Sequence, residues 1–367
     1  MSLLTHLLSV FVATNPPALA VSNEIQQSTG ISVTVPDTTD PVKQELDKLM
    51  MEDDTAQAEV DKWIRDNSDF YKQGAGEPNA DLNKRIRERF ASVRKGYEDF
   101  LQRHPDYAPG YLAYGSFLND IGEEYEASQQ YEKSRQLDPK NPAAWNNLAN
   151  YYGEFSPVTN AFVYYAKAIE LNPAEPVYYQ NFATTVYLFR KDAREFYGIN
   201  EQQVFDKALA LYLQAMKLAP DNFPLATDYV QSYYGIKPLR TNDALVAWTN
   251  TLAIARDEVE REGVYLHLAR IKMSIGQFDE SRAQLAAVTN AALADMRRRL
   301  ERSLIDHEHP QTNAVDVATN VVEIISTNTV ESHMPDVSTN VMSEPTNAVA
   351  IPTDSVPVST NAPSPEK

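Results

Sequence analysis

The sequence predicts an all-α protein in which helix-turn-helix hairpins stack on one another. Three observations lead there. The chain of 367 residues has only 12 Gly, too few for the positive-φ positions a turn-dense β protein needs at its hairpins. It has no Cys, which removes disulfide frameworks, thiolate metal sites and thiol nucleophiles at once. A pattern of large, small and proline residues also recurs at a spacing of 34 through the centre of the chain.

Charge separates that centre from its flanks. Of the formal net charge of −18, residues 42–306 carry −8, residues 1–41 carry −3 and residues 307–367 carry −7. The acidic balance argues against a nucleic-acid partner, whose affinity comes largely from clustered Lys and Arg.

At the amino terminus, Leu3 to Ala13 is an apolar run of secretory length, and Ala18-Leu19-Ala20 follows as a small-x-small cleavage site. Residues 1–20 therefore read as a signal peptide. The expectation is export to the periplasm or the extracellular space, with a cytoplasmic location as the alternative. The run is too short to cross a bilayer, so no stable membrane span is expected. Residues 21–42 form a polar linker rich in Ser, Thr and Pro. Within 43–107, Glu45–Tyr71 reads as one helix or two. Leu82–Arg103 reads as one helical stretch closed by His104-Pro105-Asp106, a degenerate repeat with no recognisable first helix.

Residues 108–306 hold the array. Tyr111, Tyr114, Gly115, Leu118, Ala127, Tyr131, Ser134 and Pro139 return 34 residues later as Trp145, Leu148, Ala149, Tyr152, Ala161, Tyr165, Ala168 and Pro173. A small residue lets the first helix of a hairpin approach the second. The large residue at 111, 145 or 179 fills the space between hairpins, and the proline stops the second helix. A third unit starts in phase with Tyr179, Phe182, Ala183 and Val186. Its second-helix pattern, Ala208, Tyr212, Ala215 and Pro220, arrives 13 residues late. The insertion falls near 189–203, where Asn200 and Gln203 have the shape of a capping box. It either extends the first helix or contacts a partner through its mixed aromatic and charged residues, Lys191 to Tyr197. A fourth unit carries Tyr229, Val230, Tyr233, Ala244 and Trp248. A fifth carries Tyr265, Leu268, Ala269, Ser281 and Leu285. Ala291–Asp306 then reads as an amphipathic helix capping the open side of the last unit.

The tail, 307–367, repeats Thr-Asn at 312, 319, 327, 339, 346 and 360, has one basic residue and no aromatic one, and is expected to be disordered. His307-Glu308-His309 is a weak metal motif at best. No phosphate loop, dinucleotide fingerprint or His-Glu-x-x-His appears. No cofactor, metal or catalytic residue is expected.

The 34-residue pattern, above all Trp145 to Tyr152 with Ala168-Ile169-Glu170-Leu171-Asn172-Pro173, resembles the tetratricopeptide repeat (TPR). The resemblance implies a right-handed superhelical solenoid of about five repeats, a non-catalytic scaffold, and a concave groove for a peptide or protein partner. It places Leu112, Ser116, Asn119 and Asp120 on that groove in the first unit. Asn146, Asn147, Asn150 and Glu154 follow in the second, and Gln180, Asn181, Thr184 and Tyr187 in the third. Thr227, Asp228, Gln231 and Tyr234 face it in the fourth, then Leu266, His267, Arg270 and Met273 in the fifth. The expected peptide-binding set is Asn146, Asn147, Asn150, Gln180, Asn181, Thr184, Tyr187, Asp228, Gln231 and Tyr234. A side-chain amide offers a donor and an acceptor together, which suits a peptide main chain of any sequence. The first three units lack the Lys and Arg with which some family members clamp a carboxylate. Alternatives are an accessory subunit of an envelope enzyme or secretion complex, or a self-assembling structural protein. Partner and oligomeric state stay open.

Overall fold

The computed structural model describes residues 40–309 apart from 73–75, 77 and 156. The expected signal peptide, almost all of the linker and the tail beyond His309 lie outside the described residues. The described chain folds into α1 (Pro41–Lys72), α2 (Asn79–Arg103), α3 (Ala108–Asp120), α4 (Glu124–Leu137), α5 (Pro142–Phe155), α6 (Val158–Leu171) and α7 (Pro176–Leu188). There follow α8 (Arg190–Tyr197), α9 (Glu201–Leu218), α10 (Phe223–Gln231), α11 (Thr241–Ala253), α12 (Glu258–Ser274), α13 (Phe278–Ala286) and α14 (Ala294–Glu308). Short 3-10 turns, Ser232–Gly235 and Ala291–Leu293, extend α10 and precede α14, and there is no strand among the described residues.

Packing follows the repeat. Helices α3 and α4, α5 and α6, α7 and α9, α10 and α11, and α12 and α13 form the hairpins. Each second helix then lies against the first helix of the next hairpin. Such an array buries each apolar face only through its neighbour. Proline enters at the start of α3, α7 and α10, where its missing N–H costs nothing. At the small positions, Ala149 and Ala183 are fully buried, and Gly115 does the same work without a Cβ.

The large residues opening each unit do more than fill space. Tyr111 donates its hydroxyl hydrogen to the Pro105 carbonyl at 3.0 Å, Trp145 its indole N–H to Pro139 at 2.9 Å, and Tyr179 its hydroxyl to Pro173 at 3.2 Å. The acceptor each time is the proline between two units. The residue types differ; the hydrogen bond repeats.

Helix α1 is a single helix of 32 residues packed on α2, so the hairpin at this end is complete. Arg89 on α2 bridges Glu52 and Glu59 on α1, and Tyr97 donates to Asp53 at 3.0 Å. The insertion does not prolong α7. Phe189 leaves helical geometry (φ −99°, ψ 48°), and α8 forms as a separate eight-residue helix. Phe196 and Tyr197 of α8 sit against Phe162 of α6 at ring distances of 5.4 and 5.7 Å. Gly198 (φ 65°) ends α8, and Asn200 and Gln203 form the reciprocal box that starts α9. Finally, α14 packs on α12 and α13. The buried Glu262 carboxylate of α12 anchors that junction by accepting the Asn290 N–H at 2.7 Å and the Thr289 N–H and hydroxyl at 2.9 Å. The Asn290 bond leads in holding this carboxyl below the ordinary carboxylate range.

Candidate polar face of the first helices

Side chains from α5, α7, α10 and α12 meet along one face because equivalent positions recur on successive first helices. Gln180 on α7 donates its amide hydrogen to Asp228 on α10 at 2.8 Å. Burial pushes the Asp228 carboxyl above its ordinary range, and the Gln180 bond pulls it partly back. Asn181 on α7 donates to the Asn146 carbonyl on α5 at 3.2 Å, and Asn146 donates in turn to Asn147 at 3.2 Å. Asn150 accepts from the Tyr165 hydroxyl at 2.7 Å. Thr184 shares a 2.7 Å hydrogen bond with the Tyr212 hydroxyl.

Not all of the expected set faces outward. Asn146 has 0% exposure and Asn147 5%, so both are packed inside the array. Asn146 links α5 to α7 and presents nothing to a ligand, a correction to the expected binding set. Asn147 belongs with it in the interior, its amide nitrogen without a hydrogen-bond partner among the described residues. The half-buried Asn150, Gln180, Asn181, Thr184, Tyr187, Asp228 and Tyr234, and the exposed Gln231, remain at the surface. Tyr187 lies over the 3-10 turn, where a Cβ on Gly235 would stand 2.0 Å from its hydroxyl, so a larger residue at 235 would displace the ring.

The fifth unit adds a stacked group. The His267 ring on α12 lies 4.1 Å from that of the fully buried Trp248, at 9° between planes. Its Nδ1 shares a 3.0 Å hydrogen bond with the Tyr234 hydroxyl, and the Arg270 guanidinium sits 4.4 Å above the Tyr234 ring. Burial first, then Arg270, draws His267 down to about 4, so the imidazole is neutral at physiological pH. Burial also raises the Tyr234 phenol to about 12.

At the other end, Asp120, expected on the groove of the first unit, comes under the influence of acidic residues of α1 that the sequence reading did not connect with it. Asp53 and Asp54 on α1 act on Asp120 at the end of α3. Although Asp120 as a whole is an exposed residue, desolvation of its carboxyl, followed by the charge of Asp53, pushes that group up to about 7, and desolvation takes the half-buried Asp53 to about 6. The folded state thus binds a proton at Asp120 that the unfolded state has released, from near the ordinary carboxylate value up to about 7. The contribution of Asp120 to stability therefore falls as pH rises through that window. Asp120→Asn is expected to flatten this slope and to raise the melting temperature at pH 7.5. An unchanged or steeper pH dependence in thermal denaturation of the variant would refute the assignment.

His307 bonds its own helix at the Ser303 carbonyl (2.7 Å), and Glu308 pairs with Arg282. Among the described residues no group of three His, Asp or Glu is placed to hold a metal ion, and no helix is long and apolar enough to cross a membrane.

No family model matches the chain. Among curated proteins it is similar to the RNA polymerase-associated protein CTR9 of Caenorhabditis elegans, 26% identical over 137 residues. That match takes in 36% of this chain and 12% of that protein's length. Among solved structures it is similar to a thermophilic TPR protein of Thermus thermophilus at 21% identity (54% of this chain, 100% of that one, TM-score 0.39). It is also similar to YrrB, described as a TPR protein with an unusual peptide-binding site, at 12% identity (59% and 97%, TM-score 0.41). The pilF protein of Pseudomonas aeruginosa matches at 14% identity (71% and 99%, TM-score 0.43). With its 34-residue register, small residues at the hairpin crossings and neighbour-on-neighbour packing, the chain folds as an all-α array of tetratricopeptide-type hairpins.

Proposed function

We propose that the protein is a non-catalytic scaffold that holds an extended segment of a protein partner along the polar face of α5, α7 and α10. The observation that supports this most is the run of neutral donors and acceptors on neighbouring helices, Asn150, Gln180, Asn181 and Thr184, with Gln180 tied to the Asp228 carboxyl on α10. Groups of this kind can exchange their partners for the N–H and C=O groups of a bound main chain without a charge being buried. Tyr187 and Tyr234 flank the run with apolar area that ends in a polar tip.

Panning a phage-displayed random dodecapeptide library on the full chain tests the reading. Selected peptides are expected to bind Asn150→Ala plus Gln180→Ala about tenfold or more weakly, the loss of two hydrogen bonds. Lys167→Ala, on the second helix α6, should leave binding unchanged. A library that yields no binders, or binders indifferent to the double variant, sinks the proposal.

A further inference from the structure

The second helices differ at one position of their register. Ala127, Ala161 and Ala208 mark the same point in the first three hairpins, so Ser128 on α4 stands where α6 has Phe162 and α9 has Leu209. Phe162 is buried against Phe182 of α7, ring to ring at 6.3 Å, and Leu209 is buried in the cluster that takes in α10. Ser128 is too short to fill the equivalent space, and a cavity of about 410 Å³ opens between α4 and α5. Tyr152, on its far wall, is only half-buried, whereas Leu118 and Val186 in the same register are fully buried.

One wall of the cavity is polar and the other apolar. Ser128, Gln129, Glu132, Lys133 and Gln136 of α4 form the first, and Leu148 and Tyr152 of α5 the second. Residues two apart on a helix point about 200° apart, so Leu148 and Tyr152 look away from Asn150 and the polar row. The Glu132 carboxylate accepts from Arg135 Nε at 2.8 Å, from Arg135 Nη2, and from the Gln136 amide at 2.9 Å. A carboxylate accepts about four hydrogen bonds, so Glu132 keeps capacity for another donor. Arg135 is held in turn 4.8 Å from the Trp145 ring. The exposed Gln129 amide has no partner among the described residues, and Ser128 donates to the Tyr125 carbonyl at 2.7 Å while its oxygen can still accept. Across the cavity the Tyr152 ring is braced edge-on by Tyr164 at 5.3 Å and 79°.

A cationic ligand would have to displace Arg135 from both Glu132 and Trp145, and an anionic one would sit beside the Glu132 carboxylate. An uncharged ring with hydroxyls at its rim and C–H groups on its face matches both walls. We propose that this cavity binds a pyranose ring of an uncharged saccharide, its face on Tyr152 and its hydroxyls on Gln129, Glu132 and Gln136. Glu132 and Tyr152 are held in place before the ligand arrives, so less freedom is lost on binding. The site lies apart from the peptide face and does not depend on that reading.

Saturation-transfer NMR of the full chain with cellobiose, maltose, lactose, mannobiose and chitobiose, and with a decaproline peptide beside them, tests the site. At least one disaccharide should bind, with saturation strongest on ring C–H protons. Ser128→Leu, which places in α4 the residue type α9 carries at that position, should close the cavity and abolish binding. Gln129→Ala plus Gln136→Ala should weaken binding about tenfold, the loss of two hydrogen bonds. Both glutamines are exposed, so that double variant should melt at the wild-type temperature and serves even if Ser128→Leu fails to fold. Tyr152→Phe should bind as the wild type does, because the ring face and not the hydroxyl makes the contact. A wild type that holds none of the five disaccharides overturns the proposal, as does binding that the glutamine double variant leaves unchanged. Decaproline bound in their place and released by Ser128→Leu overturns it too, and would make the cavity a slot for a proline-rich segment.

Discussion

Replacing Trp248 with alanine is expected to cost the array about 3–5 kcal/mol, the range for truncating a large buried aromatic side chain. The indole has no exposure, and it packs in the largest cluster, which joins α9, α10, α11 and α12. Its loss also removes the surface on which His267 stacks, and with it the support of Tyr234. Far-UV circular dichroism in urea reads the effect without relying on Trp fluorescence. The first transition should move to lower denaturant, because the fourth and fifth hairpins lose their joint before the amino-terminal ones do. A shift worth less than about 1 kcal/mol would show that the indole is not the joint we describe.

The second large effect concerns Gly115. A Cβ there would lie 2.6 Å from two carbons of the buried Tyr131 ring and 3.2 Å from the Ala127 carbonyl oxygen. Since one neighbour is backbone and the other a confined ring, neither can withdraw. Gly115→Val should cost more than about 3 kcal/mol, overpacking at its upper limit with β-branching added. Gly263, in the middle of α12, is the internal control, because a Cβ added there would meet nothing within 4 Å. Gly263→Ala should therefore stabilise the fold by about 0.5–1 kcal/mol through helix propensity. Urea denaturation of the two variants side by side should give opposite signs. The same sign in both would mean that close helix contact at Gly115 does not govern its identity.

These contrasts show which parts of the molecule could be read from residues alone. The need for a small side chain at Gly115, Ala149 and Ala183 recurs with the period of the hairpin, so periodicity exposes it. The outward or inward sense of Asn146 does not follow from periodicity. A first helix has neighbours on more than one side, and the face toward α7 carries the same polar residues as the face toward solvent. The break before α8 was hidden for a related reason. Phe189, Ala193 and Tyr197 keep a helical spacing of four, and only the Phe189 backbone shows that one helix has ended. Asp53 and Asp120 are far apart in sequence, in a region where α1 bears no trace of the repeat, so their mutual influence needed the fold. The stacked column under Arg270 joins three elements, α11, the 3-10 turn and α12, and had no local signature at all.

The bonds from Tyr111, Trp145 and Tyr179 to the preceding prolines bear on how the array can be cut and recombined. Counted by helices, a module starts at Ala108 or Pro142. Counted by its bonds, it starts a few residues earlier, at the proline whose carbonyl its own first helix will occupy. An excision made just after Pro139 or Pro173 leaves the acceptor on one fragment and the donor on the other. A graft that begins at the proline carries both along, and the seam then falls in the turn just past the preceding second helix, which ends at Leu137 or Leu171, so no helix is cut.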